Sequence, residues 1–234
     1  MNRARRFWDE RAGEDPFFFV DNRLEYGAPD LERFWAQGED DLRVLLDAVG
    51  ASAAEVAGAD VVEIGCGVGR LTRALAREAA SVRALDVSPR MIELALEHNP
   101  GLGNVEWIVG DGTSLAGVES SSAGACVSHV VFQHIADPAV TLGYVREIGR
   151  VLRPGGFAVF QVSNDPAVHS ARRPLRSRLA ALLRRGPRGQ DHPDWRGSYV
   201  ELDALRAAAG DGGMELERVA GEGTQWCVVL ARRT

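Results

Sequence analysis

The stretch Val61-Val62-Glu63-Ile64-Gly65-Cys66-Gly67-Val68-Gly69-Arg70 decides the architecture of this chain. Val61, Val62 and Ile64 make a short apolar run that breaks into a turn with glycine at every second position. Leu71, Ala74, Leu75 and Ala76 follow at helical spacing, so the segment reads as strand, tight turn and helix. Gly65 and Gly67 carry no Cβ to hold a ligand away from the backbone. The helix behind them presents unpaired N–H groups and the positive end of its dipole to polar or negative oxygen. Spacing separates the ligand classes. A dinucleotide fingerprint G-x-G-x-x-G begun at Gly65 needs glycine at position 70, which is Arg70; the third glycine is Gly69. A phosphate loop ends in G-K-[S/T], and the chain contains no lysine.

Downstream, the pattern repeats. A second strand over Ser81 to Ser88 (Val82, Ala84, Leu85) ends in Asp86, 21 residues after Gly65 and near the interval at which an acid takes ribose hydroxyls. Ser88 followed by Pro89 reads as an N-cap with proline at N1, and Met91 sits one turn into that helix. Val105 to Val109 alternates as a third strand and runs into Gly110-Asp111-Gly112-Thr113, also a plain turn signal. Ala123 to Val131 reads as strand four, followed by Phe132-Gln133-His134-Ile135 and a helix opened by Asp137-Pro138. Arg153-Pro154-Gly155-Gly156 stops that helix and turns into strand five, Phe157 to Val162. Ser198 to Ala209 reads as a helix closed by Gly210. Two strands then follow, Met214 to Val219 and Thr224 to Leu230, close enough to require an antiparallel hairpin.

Glu-x-Gly-x-Gly-x-Gly at a first strand, with acids after the second and third strands and Leu-Arg-Pro-Gly-Gly before the fifth, resembles the class I S-adenosylmethionine-dependent methyltransferases over about residues 40 to 231. The resemblance implies a Rossmann-like three-layer αβα sandwich with a seven-stranded, mostly parallel sheet in the order 3-2-1-4-5-7-6, strand seven reversed. It implies S-adenosyl-L-methionine as cofactor, held by Glu63, Gly65, Gly67, Asp86, Val87, Met91, Asp111, Gly112 and Ser128. Asp86 would take the ribose and Asp111 the adenine amine. Arg11 pairs either with the carboxylate of the cofactor's methionine part or with a surface acid. Phe18, Tyr26, Phe132 and His129 are expected at the substrate.

His134, at the end of strand four, is the first candidate for a general base, with a cap beneath the pocket as its other reading. His129 is second, since strand alternation turns it toward the sheet. There is no [DN]-P-P-[YF] motif, which argues against methylation of nucleobase or glutamine nitrogen, and no acidic strand tip, which argues against catechol-type chemistry on a metal. The expected reaction is methyl transfer to a hydroxyl or carboxylate oxygen of a small metabolite. C- or N-methylation and a non-catalytic cofactor-binding module are the alternatives.

The rest of the chain sets bounds. Residues 1–58 are the most aromatic part and are expected to form a helical cap, with the cofactor domain over 59–234. A basic insertion at 164–197 carries Arg172, Arg173, Arg176, Arg178, Arg184, Arg185, Arg188 and Arg196, with Leu175, Leu179, Leu182 and Leu183 at helical spacing. It reads as a substrate lid, a partner or membrane-surface helix, or a solvated face. A net charge of −6 disfavours nucleic acid, and absence of lysine excludes a Schiff base. Cys66, Cys126 and Cys227 are odd in number and far apart, so free thiols are expected, with no metal. No apolar run reaches membrane-span length and no apolar segment follows Met1 to Arg6, so a cytoplasmic location is expected. Oligomeric state is not legible.

Overall fold

The computed structural model describes residues 3–170 and 187–234. Four helices come first: α1 (Arg3–Glu14), α2 (Pro16–Val20), α3 (Leu31–Ala48) and α4 (Ala53–Val56). The series β1 (Asp60–Ile64), α5 (Arg70–Glu78), β2 (Ser81–Asp86), α6 (Pro89–His98), β3 (Val105–Val109) and β4 (Ala123–Ser128) follows. A 3₁₀ turn, Phe132–His134, leads to α7 (Pro138–Val151), β5 (Leu152–Val162), α8 (Pro166–Ser170), α9 (Pro193–Arg196), α10 (Leu202–Asp211), β6 (Met214–Ala220) and β7 (Cys227–Arg233).

The strands form one seven-stranded sheet in the order β3-β2-β1-β4-β5-β7-β6. β1 pairs parallel with β2 and β4, and β7 runs antiparallel to both β5 and β6. This is the expected topology. β4 is buried along its whole length, as a central parallel strand covered on both faces must be. On one face Leu45 and Leu46 of α3, Leu71 and Leu75 of α5 and Ile92 of α6 pack against Val61, Val82, Val127 and Val159. On the other, Val145 and Ile148 of α7 and Leu205 and Ala208 of α10 pack against Val62, Cys126, Ala158 and Phe160. A third cluster centres on Phe34, which is fully buried beside Val68 and Met91 and ties the leading helices to the glycine loop. Burying one such ring contributes about 2–3 kcal/mol. The expected domain boundary at residue 58 falls between α4 and β1, and α3 belongs to a sandwich layer.

The helix starts follow the caps read from the sequence. Ser88 Oγ accepts from Met91 N at 3.1 Å, and Asp137 Oδ1 accepts from Ala139 N at 2.9 Å, each ahead of a proline at N1. Several boundaries differ from expectation. β4 stops at Ser128, because Val130 turns into the left-handed region at φ 58° and cannot continue a strand. Pro154-Gly155-Gly156 is an irregularity inside β5, between the pairs Ala123–Leu152 and Ala125–Phe157. α10 runs through Gly210 to Asp211, and Gly213 at φ 71° reverses the chain instead. The arginine and leucine pattern through 171–186 lies outside the described residues. Among those described, no helix is long and apolar enough to cross a membrane.

Gly38 is where α3 crosses α5. A Cβ there would overlap the carbonyl oxygen of Arg70. Gly38→Ala is expected to destabilise the protein by about 1–3 kcal/mol, the cost of overpacking a closed contact. Urea unfolding checks this; an unchanged midpoint would show that the two helices separate freely.

Candidate functional site

The carboxyl ends of β1, β2 and β4 open into two joined chambers, as expected for ligands in open α/β sheets. The first, of about 240 Å³, is floored by Glu63, Gly65, Gly67 and Asp86 and roofed by Trp8 of α1. The second, of about 580 Å³, lies beyond it toward Trp195, Trp226 and His169. Phe19, Val20, Arg70, His129, Val130 and His134 line both and form the junction.

The glycine loop is built by conformation and by contact. Gly65, Gly67 and Gly69 have φ of 77°, 54° and 91°, a region closed to most side chains. A Cβ on Gly65 would overlap the Val131 side chain, and one on Gly67 would come within 2.7 Å of Val20. The missing atoms therefore let the cavity walls close onto the loop as well as exposing its backbone.

Asp86 ends β2 beneath that loop. Its Oδ2 accepts from Gly67 N and its Oδ1 from Ser88 N, each at 2.9 Å. A carboxylate has about four acceptor positions, so each oxygen keeps capacity for a hydroxyl donor from the chamber. Burial pushes Asp86 up to about 6, against the opposing pull of the two N–H donors. Glu63 is buried at the end of β1 and accepts from Thr72 Oγ1 at 2.6 Å; burial pushes it up to about 7. Val87, Met91, Gly112, Thr113, Leu115 and Tyr144 complete an apolar end of the first chamber beyond Asp86.

The leading helices make the roof. Arg5 donates from Nη2 to Gly110 O at 2.8 Å and from Nε to Val87 O at 3.2 Å, bridging the loops after β2 and β3. Asp9 Oδ1 accepts from Ser88 Oγ at 2.5 Å. Arg3 forks onto Asp194, joining α1 to α9 across the opening. In the second chamber, Trp195 of α9 tilts over the His134 ring at 5.1 Å between centroids.

His134 Nδ1 lies 2.6 Å from Trp195 O, and Gln133 Nε2 lies 3.3 Å from His134 Nε2. Burial holds His134 down at about 4 despite the Trp195 carbonyl. Behind it sits Gln161, almost wholly buried on β5. It accepts from Val130 N at 3.0 Å and donates to Gln133 Oε1 at 2.8 Å and Gln225 O at 2.5 Å. One side chain thus pins the left-handed Val130, the 3₁₀ turn and the β6–β7 loop.

The structure brings together Glu63, Gly65, Gly67, Asp86, Val87, Met91, Gly112, His129 and His134. His129 faces the chambers, because the strand has ended before it and alternation no longer applies. Others are placed elsewhere. Phe132 is in the core between Tyr144 and Phe160. Ser128 is buried and donates to Ile64 O, holding β4 to β1. Phe18 packs edge-on against Phe19 and Tyr26, and Tyr26 donates to Glu14. Arg11 pairs with Glu14 at 3.0 Å and donates to Arg188 O, outside both chambers. Asp111 Oδ1 accepts from Thr113 N and Ser114 N, each at 2.7 Å, shaping the loop whose other residues line the cavity. Sequence reasoning missed Arg5, Phe19, Tyr144, Gln161 and Trp195. Only Gln161 left a signal, as a polar residue inside the apolar run Phe157 to Val162.

Comparison with known proteins agrees with this geometry. A family model described as a methyltransferase domain matches residues 62–160. A ubiquinone biosynthesis O-methyltransferase of Xanthomonas oryzae pv. oryzae is 31% identical over 182 residues, covering 76% of this chain and 71% of the relative. That of Xanthomonas axonopodis pv. citri is 27% identical over 221 residues, covering 93% and 79%. Among solved structures, magnesium protoporphyrin IX methyltransferase from Synechocystis with bound S-adenosylhomocysteine superposes with a TM-score of 0.63 at 16% identity, covering 98% of this chain and 97% of that one. An S-adenosylmethionine-dependent methyltransferase from Mesorhizobium loti gives 0.59 at 21% identity, covering 76% and 93%.

Proposed function

The chain belongs to the class I S-adenosylmethionine-dependent methyltransferases, and on that premise we propose that it methylates an oxygen of a small-molecule acceptor. The cofactor takes the first chamber and the acceptor the second. The residues of the first chamber suit the cofactor: an acid with spare acceptor capacity for the ribose diol, an exposed glycine backbone, and an apolar end at Met91 and Leu115 for the adenine. Bound there, it supplies a methyl group on a sulfonium whose leaving thioether is neutral. The protein's task is alignment, water exclusion and removal of one proton.

The observation that carries the oxygen reading is the fixed ring of His134 at the junction. A carbonyl only accepts, so Nδ1 carries the proton toward Trp195 O and Nε2 keeps its lone pair. The Gln133 amide donates toward that lone pair, and an acceptor hydroxyl entering the second chamber takes its place. Burial keeps the imidazole neutral at pH 7. Such a weak base suffices when transfer is late, because an oxygen that has gained a methyl is strongly acidic. The two Xanthomonas relatives, named as O-methyltransferases, support the same assignment.

The ionisation of Asp86 gives a pH test. Its carboxylate must be charged to accept both ribose hydroxyls, and its pKa in the free protein is pushed up to about 6. Affinity for S-adenosylhomocysteine is expected to be level above about pH 7 and to fall below pH 6, by at most tenfold per unit. Calorimetry from pH 5 to 8 that gave a constant affinity would remove Asp86 from the ribose. The acceptor class is tested by incubating the protein with methyl-labelled cofactor and separate pools of hydroxy acids, phenols and glycosides. Label transferred to an oxygen supports the proposal; label appearing only on nitrogen or carbon acceptors contradicts it.

A further inference from the structure

Two buried polar atoms at the junction of the chambers have no hydrogen-bond partner among the described residues: Arg70 Nε and His129 Nδ1. Both residues line both chambers. Arg70, at the first position of α5, has a side chain only 5% exposed. Its neighbours are already satisfied. Arg23 forks onto Asp21 through Nε and Nη2, at 2.7 and 2.6 Å. It reaches Asp41 through Nη1 and Nη2, at 3.0 and 2.6 Å. Arg70 shares Asp41 through Nη1, and Asp21 stands 3.8 Å away, an ion pair without a hydrogen bond. A guanidinium has five N–H donors, and among the described residues Arg70 spends one of them.

A structural ion pair explains this poorly. Arg70 balances the charge of the cluster, two guanidiniums against two carboxylates, but its unspent donors, Nε among them, are buried without acceptors among the described residues, at a desolvation cost the ion pairs do not return. An oxygen anion returns it. The Nε–Nη2 edge is the side of a guanidinium that a carboxylate meets with two parallel hydrogen bonds. His129 is held neutral by burial, at about 4, and so offers one ring N–H without adding charge.

We propose that the junction is an anion subsite for the acceptor: a carboxylate carried by the acceptor forks onto the Nε–Nη2 edge of Arg70 and takes a hydrogen bond from His129. The subsite rests on the reading of the second chamber as the acceptor's. Asp21, Arg23 and Asp41 line that chamber and not the first, so the charged cluster opens on the acceptor side. The acceptor is then a hydroxy acid, anchored at Arg70 with its hydroxyl at His134 and its apolar body beside Phe19 and Trp195.

The test uses the full chain saturated with S-adenosylhomocysteine. Calorimetry compares hydroxy acids with their own primary amides, such as 4-hydroxyphenylacetate and 3-hydroxybutyrate, so that each pair differs in charge but hardly in shape. At least one acid is expected to bind tenfold or more tighter than its amide. Arg70→Gln is expected to reduce that preference to within twofold while still binding S-adenosylhomocysteine, whose affinity is measured alongside. The wild-type comparison needs no variant to fold, and cofactor binding by Arg70→Gln reports on its own folding. Acids binding no better than amides, with the cofactor bound, overturn the subsite and leave the methyltransferase reading standing. Failure to bind S-adenosylhomocysteine removes both. If Arg70→Gln loses S-adenosylhomocysteine but keeps 5′-methylthioadenosine, which lacks the amino-acid tail, Arg70 serves the cofactor's own carboxylate and the proposal falls.

Discussion

Asp86→Ala is expected to weaken binding of S-adenosylhomocysteine by two to three orders of magnitude. Asp86 accepts from Gly67 N and Ser88 N with part of its capacity and presents the rest to the chamber. Hydrogen bonds to a charged group contribute about 1.5–3 kcal/mol each, so at the lower end of that range losing two at the ribose costs roughly 3–4 kcal/mol. Alanine also frees the Gly67 amide and loosens the loop over the methionine part. Asp86→Asn retains one acceptor oxygen but sets its amide donor against the donors of Gly67 or Ser88, and is expected to be little better. The empty protein is not expected to unfold. A carboxylate whose folded pKa is raised costs stability above that pKa, and alanine removes the cost, offsetting the two lost backbone bonds. Calorimetry with thermal unfolding in parallel separates the effects; unchanged affinity would place the ribose elsewhere.

The second large effect is at His134. Removing a positioned general base lowers turnover by about 10²–10⁴-fold. His134→Ala is expected to do so while leaving S-adenosylhomocysteine affinity within a factor of two, because the ring contacts Trp195, Trp8 and Gln133 and not the ribose end of the site. Loss of the bond to Trp195 O costs roughly 1 kcal/mol of stability. A purely structural role is distinguished by rescue. Added imidazole is expected to restore part of the turnover of His134→Ala, and a structural vacancy would show none. The acceptor found by the label-transfer screen serves as substrate for this measurement.

What the sequence disclosed, and what it withheld, follows from the range of each interaction. The succession of strands, the glycine turn and the place of Asp86 were legible because they depend on local pattern: apolar runs, glycine spacing and the interval from Gly65; the order of the strands in the sheet came from the family resemblance. The helix starts at Ser88 and Asp137 were legible for the same reason. The acceptor chamber was not. Its walls come from α2, the segment after β4, α9 and the β6–β7 loop, which meet only in the fold. Three phenylalanines stand in a row at 17–19, and nothing local says that Phe19 faces the junction while Phe18 turns away. Strand alternation misled at His129 because Val130 takes a left-handed conformation that its residue type disfavours, held there by a glutamine 31 positions away. Phe132 looked like a lining aromatic by position; the 3₁₀ turn rotates it into the core beside Phe160 and leaves His134 facing the cavity.

The central claim is that the crevice at the ends of β1 and β2 holds the cofactor with its reactive end toward His134. A crystal structure of the chain with S-adenosylhomocysteine tests it most directly. The account predicts both ribose hydroxyls on Asp86, the adenine between Met91 and Leu115, and the sulfur pointing across the junction toward the second chamber. S-adenosylhomocysteine bound away from Asp86, or with its sulfur turned from His134, would contradict it.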